Sequence, residues 1–450
     1  MHKLPVLPDG RLEQQFHEAK PAYNAAEAVA EANRCLYCED APCIRACPTG
    51  IDIPTFIHKI STGNTLGAAR TILRENLLGA SCARVCPVEV LCAGACVFNA
   101  WGRDPIQIGR LQRFATETAA RAVGGLAPLV PARKPATGKR VAVLGAGPAS
   151  IAAAGLLALE GHAVVLFERK ALPGGLNSLG IAPYKQQAAA ALQELGWVAA
   201  LGDVELRCGV EVVAGAAGTG QVALGELLSG FDAVFVGLGL GPDTQLGIPG
   251  EQGAGVYGAV ELIERVKAER GFSLGGARRA LVVGGGNTAL DAAHELRLLG
   301  LEDVALVYRR GEADMSGYAH ELEHARVDGV RLVENRVVTL LVRDGAGKLV
   351  AAHLASAAGG KAVPGSAERV PVDLVAVAIG QGRSTDVLAS VPGLRLDGKG
   401  RVEVDPATHR TGHEKVWSGG DCVNGGREVV NAVQEAKVAV RDMLRALAGR

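Results

Sequence analysis

Aromatic residues make up only 4% of the 450-residue chain, too few for a core built on aromatic packing between β-sheets. An excess of one charge is missing too: 47 Lys and Arg balance 47 Asp and Glu, and the pI is about 7.1. That excludes the electrostatic footprint of a nucleic-acid or anionic-membrane binder. No uninterrupted apolar run reaches the roughly 18 residues of a membrane span, and the opening "MHKLPVLPDGRLEQQ" lacks the apolar centre of a secretory signal. The expectation is a cytoplasmic protein.

Cysteine and glycine are abundant by contrast. Eight of the ten cysteines fall between Cys35 and Cys96, and in a reducing compartment such crowding points to metal or redox chemistry instead of disulfides. The first run places Cys35, Cys38, Cys43 and Cys47 as C-x2-C-x4-C-x3-C-P. The second places Cys82, Cys86, Cys92 and Cys96 as C-x3-C-P-x4-C-x3-C. Structural zinc usually shows paired C-x2-C knuckles, and only Cys35 and Cys38 form one. Crowded runs closed by Cys–Pro resemble those of two-cluster ferredoxins, in which the last cysteine of a run ligates the other cluster. Two 4Fe-4S clusters fit, with a zinc-stabilised nucleotide-binding module without turnover as the alternative.

Sixty glycines suit tight strand–turn–helix units, and the length allows about three domains. Residues 1–126 read as a mostly helical domain, since Leu66, Ala69, Leu73 and Leu77 recur at helical spacing between the cysteine runs. "GGLAPLVPARKPATGKR" then reads as a linker. After it, "VAVLGAGPASIAAAGLLALEGHAVVLFERK" spells strand, glycine turn, helix and strand, and "RALVVGGGNTALDAAHELRLLGLEDVALVYRR" repeats that order. The strand-like "VDLVAVAIGQ" and then "VWSGGDCVNGGREVVNAVQEAKVAV" read as the return of the chain into the first unit. The expected class is α/β: a discontinuous FAD-binding Rossmann-like domain (127–247 and 380–450) and an NAD(P)H-binding one (248–379), both behind the iron–sulfur domain.

In the first unit Gly145 permits the tight turn, Gly147 lets the backbone approach a pyrophosphate, and Ser150 is small enough for helix–strand contact. The helix expected from Pro148 aims its positive end at that anion. Glu168, about 20 residues on, stands where a carboxylate takes ribose hydroxyls. The second unit supplies Gly284, Gly286, Asn287, Thr288 and Ala289. Its strand ends in Tyr308, Arg309 and Arg310 where an acid would stand, which suggests a 2′-phosphate or simply two solvated arginines. Gly420 and Asp421 resemble the Gly–Asp that places a carboxylate on the flavin ribityl chain of two-dinucleotide flavoproteins. No C-x-x-C accompanies either turn, and Cys208 and Cys422 are isolated. Electrons therefore have to leave the flavin for another carrier. A nicotinamide gives two electrons together and a cluster carries one, so FAD between them completes a wire.

From "CLYCEDAPCIRACPTGIDIPTFI" through "GAGPAS", "FVGLGLG" and "GGGNTA" to the final "GGD", essentially the full chain resembles the flavin-bearing electron-input subunits of bacterial dihydropyrimidine dehydrogenase and, more distantly, the small subunits of glutamate synthase. The resemblance implies that Cys35, Cys38, Cys43 and Cys96 hold one cluster. It implies that Cys47, Cys86 and Cys92 hold the other with Gln112 as a non-cysteine fourth ligand, which leaves Cys82 spare. Gln112 falls on an apolar, inward helical face with Ile108 and Ala115, where a hydrogen bond is the alternative to ligation. The glutamate synthase relatives tend to carry an acid at that place. Pro173 to Leu176, with Gly174 and Gly175, match the loop that continues the FAD site, and Lys185 matches a basic residue beside the isoalloxazine, although one loop lysine is ordinarily solvated. No further arginine lies between Met315 and Glu321, which tilts the nicotinamide choice toward NADH over NADPH. The implied partner in a heteromer is an FMN-containing subunit that reduces uracil or thymine, since no eight-fold strand–helix repeat follows here. No general acid or base is expected, because hydride passes directly between stacked rings.

Overall fold

The computed structural model describes residues 4–449. Its N-terminal part is helical: Ala25–Ala32, Pro42–Ala46, Ile53–Ser61, Thr65–Glu75, Gly79–Val85 and Ile108–Val123. Local chemistry starts these helices. Asn24 and Glu27 form a reciprocal capping box, and Asn64 Oδ1 accepts the Gly67 amide at 2.8 Å. Ile53, Phe56, Ile57 and Ile60 recur on one face and bury it against Ile72 and Leu111, each side chain contributing about 2 kcal/mol.

The helix between the cysteine runs is shorter than its apolar spacing suggests. Leu66 faces solvent, and Leu77 lies beyond the helix end at Glu75. Asn76 stops it: its buried side chain accepts the Leu78 amide at 2.9 Å and so competes with the helical hydrogen-bond pattern.

Two five-stranded parallel sheets follow. The first runs Val416–Ser418, Ala233–Val236, Arg140–Leu144, Ala163–Glu168, Val204–Cys208. The second runs Val330–Val333, Asp303–Val307, Arg279–Val283, Leu374–Val377, Val256–Gly258. Leu374–Val377, read from sequence both as part of the return and inside the bounds 248–379, stays in the second sheet as those bounds have it, and the chain crosses back only afterwards. A four-residue run buried on both faces suits the middle of either sheet, so its apolar character could not choose between them. A small antiparallel sheet (Arg336–Arg343, Leu349–Ala358, Lys361–Ala362 and Glu368–Pro371) packs Val338, Leu341 and Leu354 against the second sheet.

The iron–sulfur part and the first sheet are welded. One continuous core joins Leu77, Leu78 and Cys82 to Val141, Leu157 and Val433, with Cys47 and Cys86 packed at its edge. Cys35, Cys43, Cys92 and Cys96 pack on the helical core, which Cys47 touches as well. Cys47 and Cys86 therefore reach the core shared with the first sheet, and Cys47 bridges it to the helical core.

Candidate functional site

Cys35, Cys38, Cys43 and Cys96 line one small cavity whose walls are Ile53, Ile57, Phe98 and Ile108. These are the four thiols that the resemblance groups together. Among the described residues, no three His, Cys, Asp or Glu side chains converge closely enough to hold a single metal ion. Four thiols spread around an apolar cavity suit a multi-iron cluster better than one tetrahedral zinc.

Cys47, Cys82, Cys86 and Cys92 form the second group. Cys86 is hydrogen-bonded to Cys82 and lies near Cys92 and Cys47. Burial pushes the Cys43 thiol up to about 11 and Cys92 to about 12, while the Cys82 hydrogen bond and burial raise Cys86 well above its usual value. Such thiols stay protonated near neutrality unless a cation compensates their ionisation, and cluster iron supplies that charge. Cys82 is buried and accepts the Asn76 amide at 3.2 Å. Gln112 sits on the helix Ile108–Val123 and is buried, with its Nε2 donating to the Gly79 carbonyl at 2.7 Å. Its nitrogen is committed to backbone, so its oxygen is the atom with lone pairs for iron.

The first glycine turn joins strand Arg140–Leu144 to helix Pro148–Leu159. Gly145 has φ +84°, and a β-carbon there would stand 2.6 Å from the Gly237 carbonyl oxygen, so the protein itself demands glycine. Gly147 differs: nothing lies within 4 Å of its would-be β-carbon. The space it keeps open is a cradle for a ligand backbone, which fits a dinucleotide pyrophosphate. Ser150 fills the contact with Gly237 behind the turn.

Around that cradle the structure gathers the other expected residues. Glu168, buried at its strand end, accepts the Ala146 amide on one oxygen and the Lys170 amide on the other, both at 2.9 Å. The Gly174 amide donates to the Ala146 carbonyl at 2.9 Å, a β-carbon on Gly175 would lie 2.9 Å from Gly147 Cα, and Leu176 begins the next short helix. Gly420 (φ +80°) rests against Ala149 from the other side. Burial pushes the Asp421 carboxyl up to about 6, helped by Glu435 and Glu428 and opposed by the Arg427 amide. A half-buried acid with so few donors fits a polyhydroxyl chain that supplies them.

The second turn repeats the division of labour. A β-carbon on Gly284 would collide with the Ala378 carbonyl, whereas one on Gly286 meets only Ser316 Oγ at 3.4 Å. Gly286 precedes helix Asn287–Leu298, and Asn287 Oδ1 accepts the Tyr318 amide at 2.9 Å. Thr288 follows in the first helical turn and Ala289 is buried beneath it. Tyr308 lies under Gly285, and Arg310 donates to its hydroxyl at 2.6 Å. Arg309 lies alongside Gly360, and both arginines are exposed.

Lys185 is not a solvated loop residue. Its ammonium lies 2.7 Å from Asp291 and 2.7 Å from Glu321, and Tyr184 donates to the same Asp291 at 2.9 Å. Burial pulls its pKa down, but the two carboxylates override that and hold it above the ordinary value. The lysine belongs to the first nucleotide unit and the acids to the second, so the pair ties the units together. The segment "MSGYAHE" adds two more ties: Tyr318 donates to Glu428 at 2.7 Å, and His320 stands 3.5 Å from Glu89 beside the second cysteine run. Sequence reasoning missed these. The available signal was Asp291, His294 and Glu295 spaced i, i+3, i+4 on an otherwise Ala/Leu-rich helix, a polar stripe on a buried face.

A family model described as dihydropyrimidine dehydrogenase domain II, 4Fe-4S cluster, matches residues 12–123. A second, described as pyridine nucleotide-disulphide oxidoreductase, matches residues 139–436. The chain is 34% identical over 456 residues to the glutamate synthase (NADPH) small chain of Halomonas elongata, covering 96% of this chain and 93% of that one. It is 32% identical over 433 residues to the NAD-dependent dihydropyrimidine dehydrogenase subunit PreT of Escherichia coli, covering 96% and 97%. Its fold is similar to T. acidophilum thioredoxin reductase, with a TM-score of 0.54 and 21% identity over 68% of this chain and 98% of that one. Mycobacterium tuberculosis FprA in complex with NADPH gives 0.52 and 22% over 70% and 85%.

Proposed function

Because this chain belongs to the pyridine nucleotide-disulphide oxidoreductase family and carries ahead of it the 4Fe-4S domain of dihydropyrimidine dehydrogenase, we propose that it is the NADH-oxidising electron-input subunit of a heteromeric pyrimidine reductase. Its partner in this reading carries FMN and converts uracil or thymine to the 5,6-dihydro form. FAD, once bound, would supply the conversion between one hydride, taken as an electron pair, and single electrons passed on to the clusters. The zinc-held alternative is set aside, since the matching N-terminal family is a 4Fe-4S one.

The residues of the chain divide that task. Gly145, Gly147, Glu168, Gly174, Gly175 and Asp421 hold FAD, and Gly284, Gly286 and the helix from Asn287 hold the nicotinamide dinucleotide. Cys35, Cys38, Cys43 and Cys96 hold an outer cluster. Cys47, Cys86 and Cys92, with the Gln112 oxygen, hold an inner one against the flavin unit. The observation that carries this reading is the grouping of the thiols: Cys35, Cys38, Cys43 and Cys96 line one cavity, while Cys86 lies beside Cys92 and Cys47, of which Cys86 and Cys47 touch the core shared with the flavin unit. It provides two steps for single electrons and an exit remote from the flavin.

The glutamate synthase small chain is the second reading, favoured by the 34% identity over 96% of this chain. Gln112, where those relatives tend to carry an acid, supports the pyrimidine branch. The deciding experiment is anaerobic production with the neighbouring reading frames, followed by flavin, iron and sulfide analysis and assay with uracil under NADH or NADPH. The proposal expects one FAD and about eight irons per chain, with uracil-dependent NADH oxidation. A preparation with these cofactors that reduces no pyrimidine, yet supports glutamine-dependent glutamate formation with a large partner, establishes the second reading instead.

A further inference from the structure

We propose that the hydroxyl of Thr49 tunes the inner cluster by donating a hydrogen bond to the Cys47 sulfur, and that Lys437 positions it for that purpose. This rests on the assignment of Cys47 to that cluster. Cys47 Sγ and Thr49 Oγ1 are 3.3 Å apart. Between a free thiol and a hydroxyl either atom can donate. A thiolate bound to iron has no proton, so the hydroxyl becomes the donor. Pro48, between them, contributes no N–H. Thr49 is only 4% exposed, so water does not compete for its hydroxyl.

Thr49 is held from a distant part of the chain. Lys437, on the C-terminal helix Val429–Ala448, is 8% exposed and donates from Nζ to the Thr49 carbonyl at 3.0 Å. The same ammonium pairs with Glu75 at 2.7 Å. Lys437 and Glu75 cancel as charges, so the lysine acts on the cluster by fixing backbone position and adds little field of its own. The helix that carries it packs on the flavin unit and contributes Val430, Val433 and Ala436 to the shared core. The flavin unit thereby fixes the geometry of a donor at its nearest electron acceptor. A hydrogen bond to a cluster sulfur favours the more negatively charged, reduced state and raises the potential. An inner cluster raised in this way draws electrons off the flavin.

The test is an EPR-monitored redox titration of the anaerobically prepared holoprotein and of Thr49→Val, Thr49→Ser and Lys437→Met. Thr49→Val, nearly isosteric, is expected to lower the midpoint of one cluster by about 59 mV, a tenfold change in its reduced-to-oxidised ratio at fixed poise, and to leave the other cluster unmoved. Thr49→Ser keeps the hydroxyl and the wild-type midpoint. Lys437→Met moves the same cluster in the same direction by less. Full iron content with both midpoints unchanged in Thr49→Val overturns the proposal. Should Thr49→Val fail to assemble its clusters, Lys437→Met decides, and an unmoved midpoint there overturns it equally. Wild-type protein without iron removes the cluster reading itself, a result distinct from either.

Discussion

The two glycine turns are built alike up to the end of the following strand, where they diverge. In each, the first glycine (Gly145, Gly284) is demanded by a neighbouring backbone carbonyl, and the second (Gly147, Gly286) has room for a methyl group that only a bound ligand would contest. In the first unit the next strand delivers a buried carboxylate, Glu168, into the turn, and a second acid, Asp421, approaches from the C-terminal segment. In the second, the strand delivers Tyr308 under the turn and two exposed arginines beyond it. The shared part is what any dinucleotide pyrophosphate requires; the divergent part distinguishes one dinucleotide from another. Glycines therefore report that a nucleotide binds, and the strand end reports which.

The strongest way to break this comparison is to exchange the roles of the two glycines in the first turn. Gly145→Ala puts a side chain at φ +84° against the Gly237 carbonyl, and its expected cost exceeds about 3 kcal/mol. Gly147→Ala leaves the urea midpoint within about 0.5 kcal/mol of wild type while FAD retention falls about tenfold or more. Flavin content by absorbance and urea unfolding followed by circular dichroism check both. A Gly147→Ala protein that keeps wild-type FAD refutes the cradle.

Asp421 stands beside the first turn, where pH should act on it. The folded pKa of Asp421, about 6, lies above the ordinary 3.8. Between those values the folded chain holds the proton more tightly than the unfolded chain. The stability contributed is therefore complete below about pH 3.8 and is lost progressively as pH rises from there to about 6, by roughly 2–3 kcal/mol in all. Urea midpoints of flavin-free protein measured from about pH 3.5 to 7 are expected to lose this slope in Asp421→Asn. The same substitution should weaken FAD binding, because the flavin hydroxyls would meet an amide in place of an ionisable acid.

What could be read from the sequence was what is local. The turns, the capping box at Asn24 and Glu27, and the helix start at Pro148 depend on residues within four positions of one another, and spacing reports them. Cysteine spacing likewise showed crowding, but the sorting of Cys35, Cys38, Cys43 and Cys96 into one cavity joins two runs and came from family resemblance. Pairs closed through space had at most half a signal, a polar stripe such as Asp291, His294 and Glu295 that names no partner. Lys185 meets Asp291, Tyr318 meets Glu428 and Lys437 meets Glu75 across long stretches of chain, the last over 362 residues. Each is a charged or polar residue of ordinary type until the fold buries it against its partner. The strand Leu374–Val377 was read both ways for the reason opposite to a missing signal: its apolar pattern satisfies either sheet.

The second turn offers milder tests. Gly286→Ala should raise the KM for the nicotinamide about fivefold to tenfold, with FAD retained, since its methyl group meets only Ser316 within the protein. The smallest effect is expected at the strand end. Arg310 already donates to the Tyr308 hydroxyl and Arg309 lies along Gly360, so neither guanidinium is held in a bidentate fork ready for phosphate. If NADH is the donor, Arg309→Ala with Arg310→Ala changes kcat/KM for NADH by less than about twofold. A 2′-phosphate site would respond differently. Losing two charge-assisted contacts costs about 1.5–3 kcal/mol each, and kcat/KM for NADPH would then fall at least about a hundredfold while NADH stayed level. Steady-state rates with both nucleotides, on the double variant and the parent, separate these outcomes. A loss of that size confined to NADPH, starting from a parent that prefers it, would show that the second strand end selects the phosphate after all.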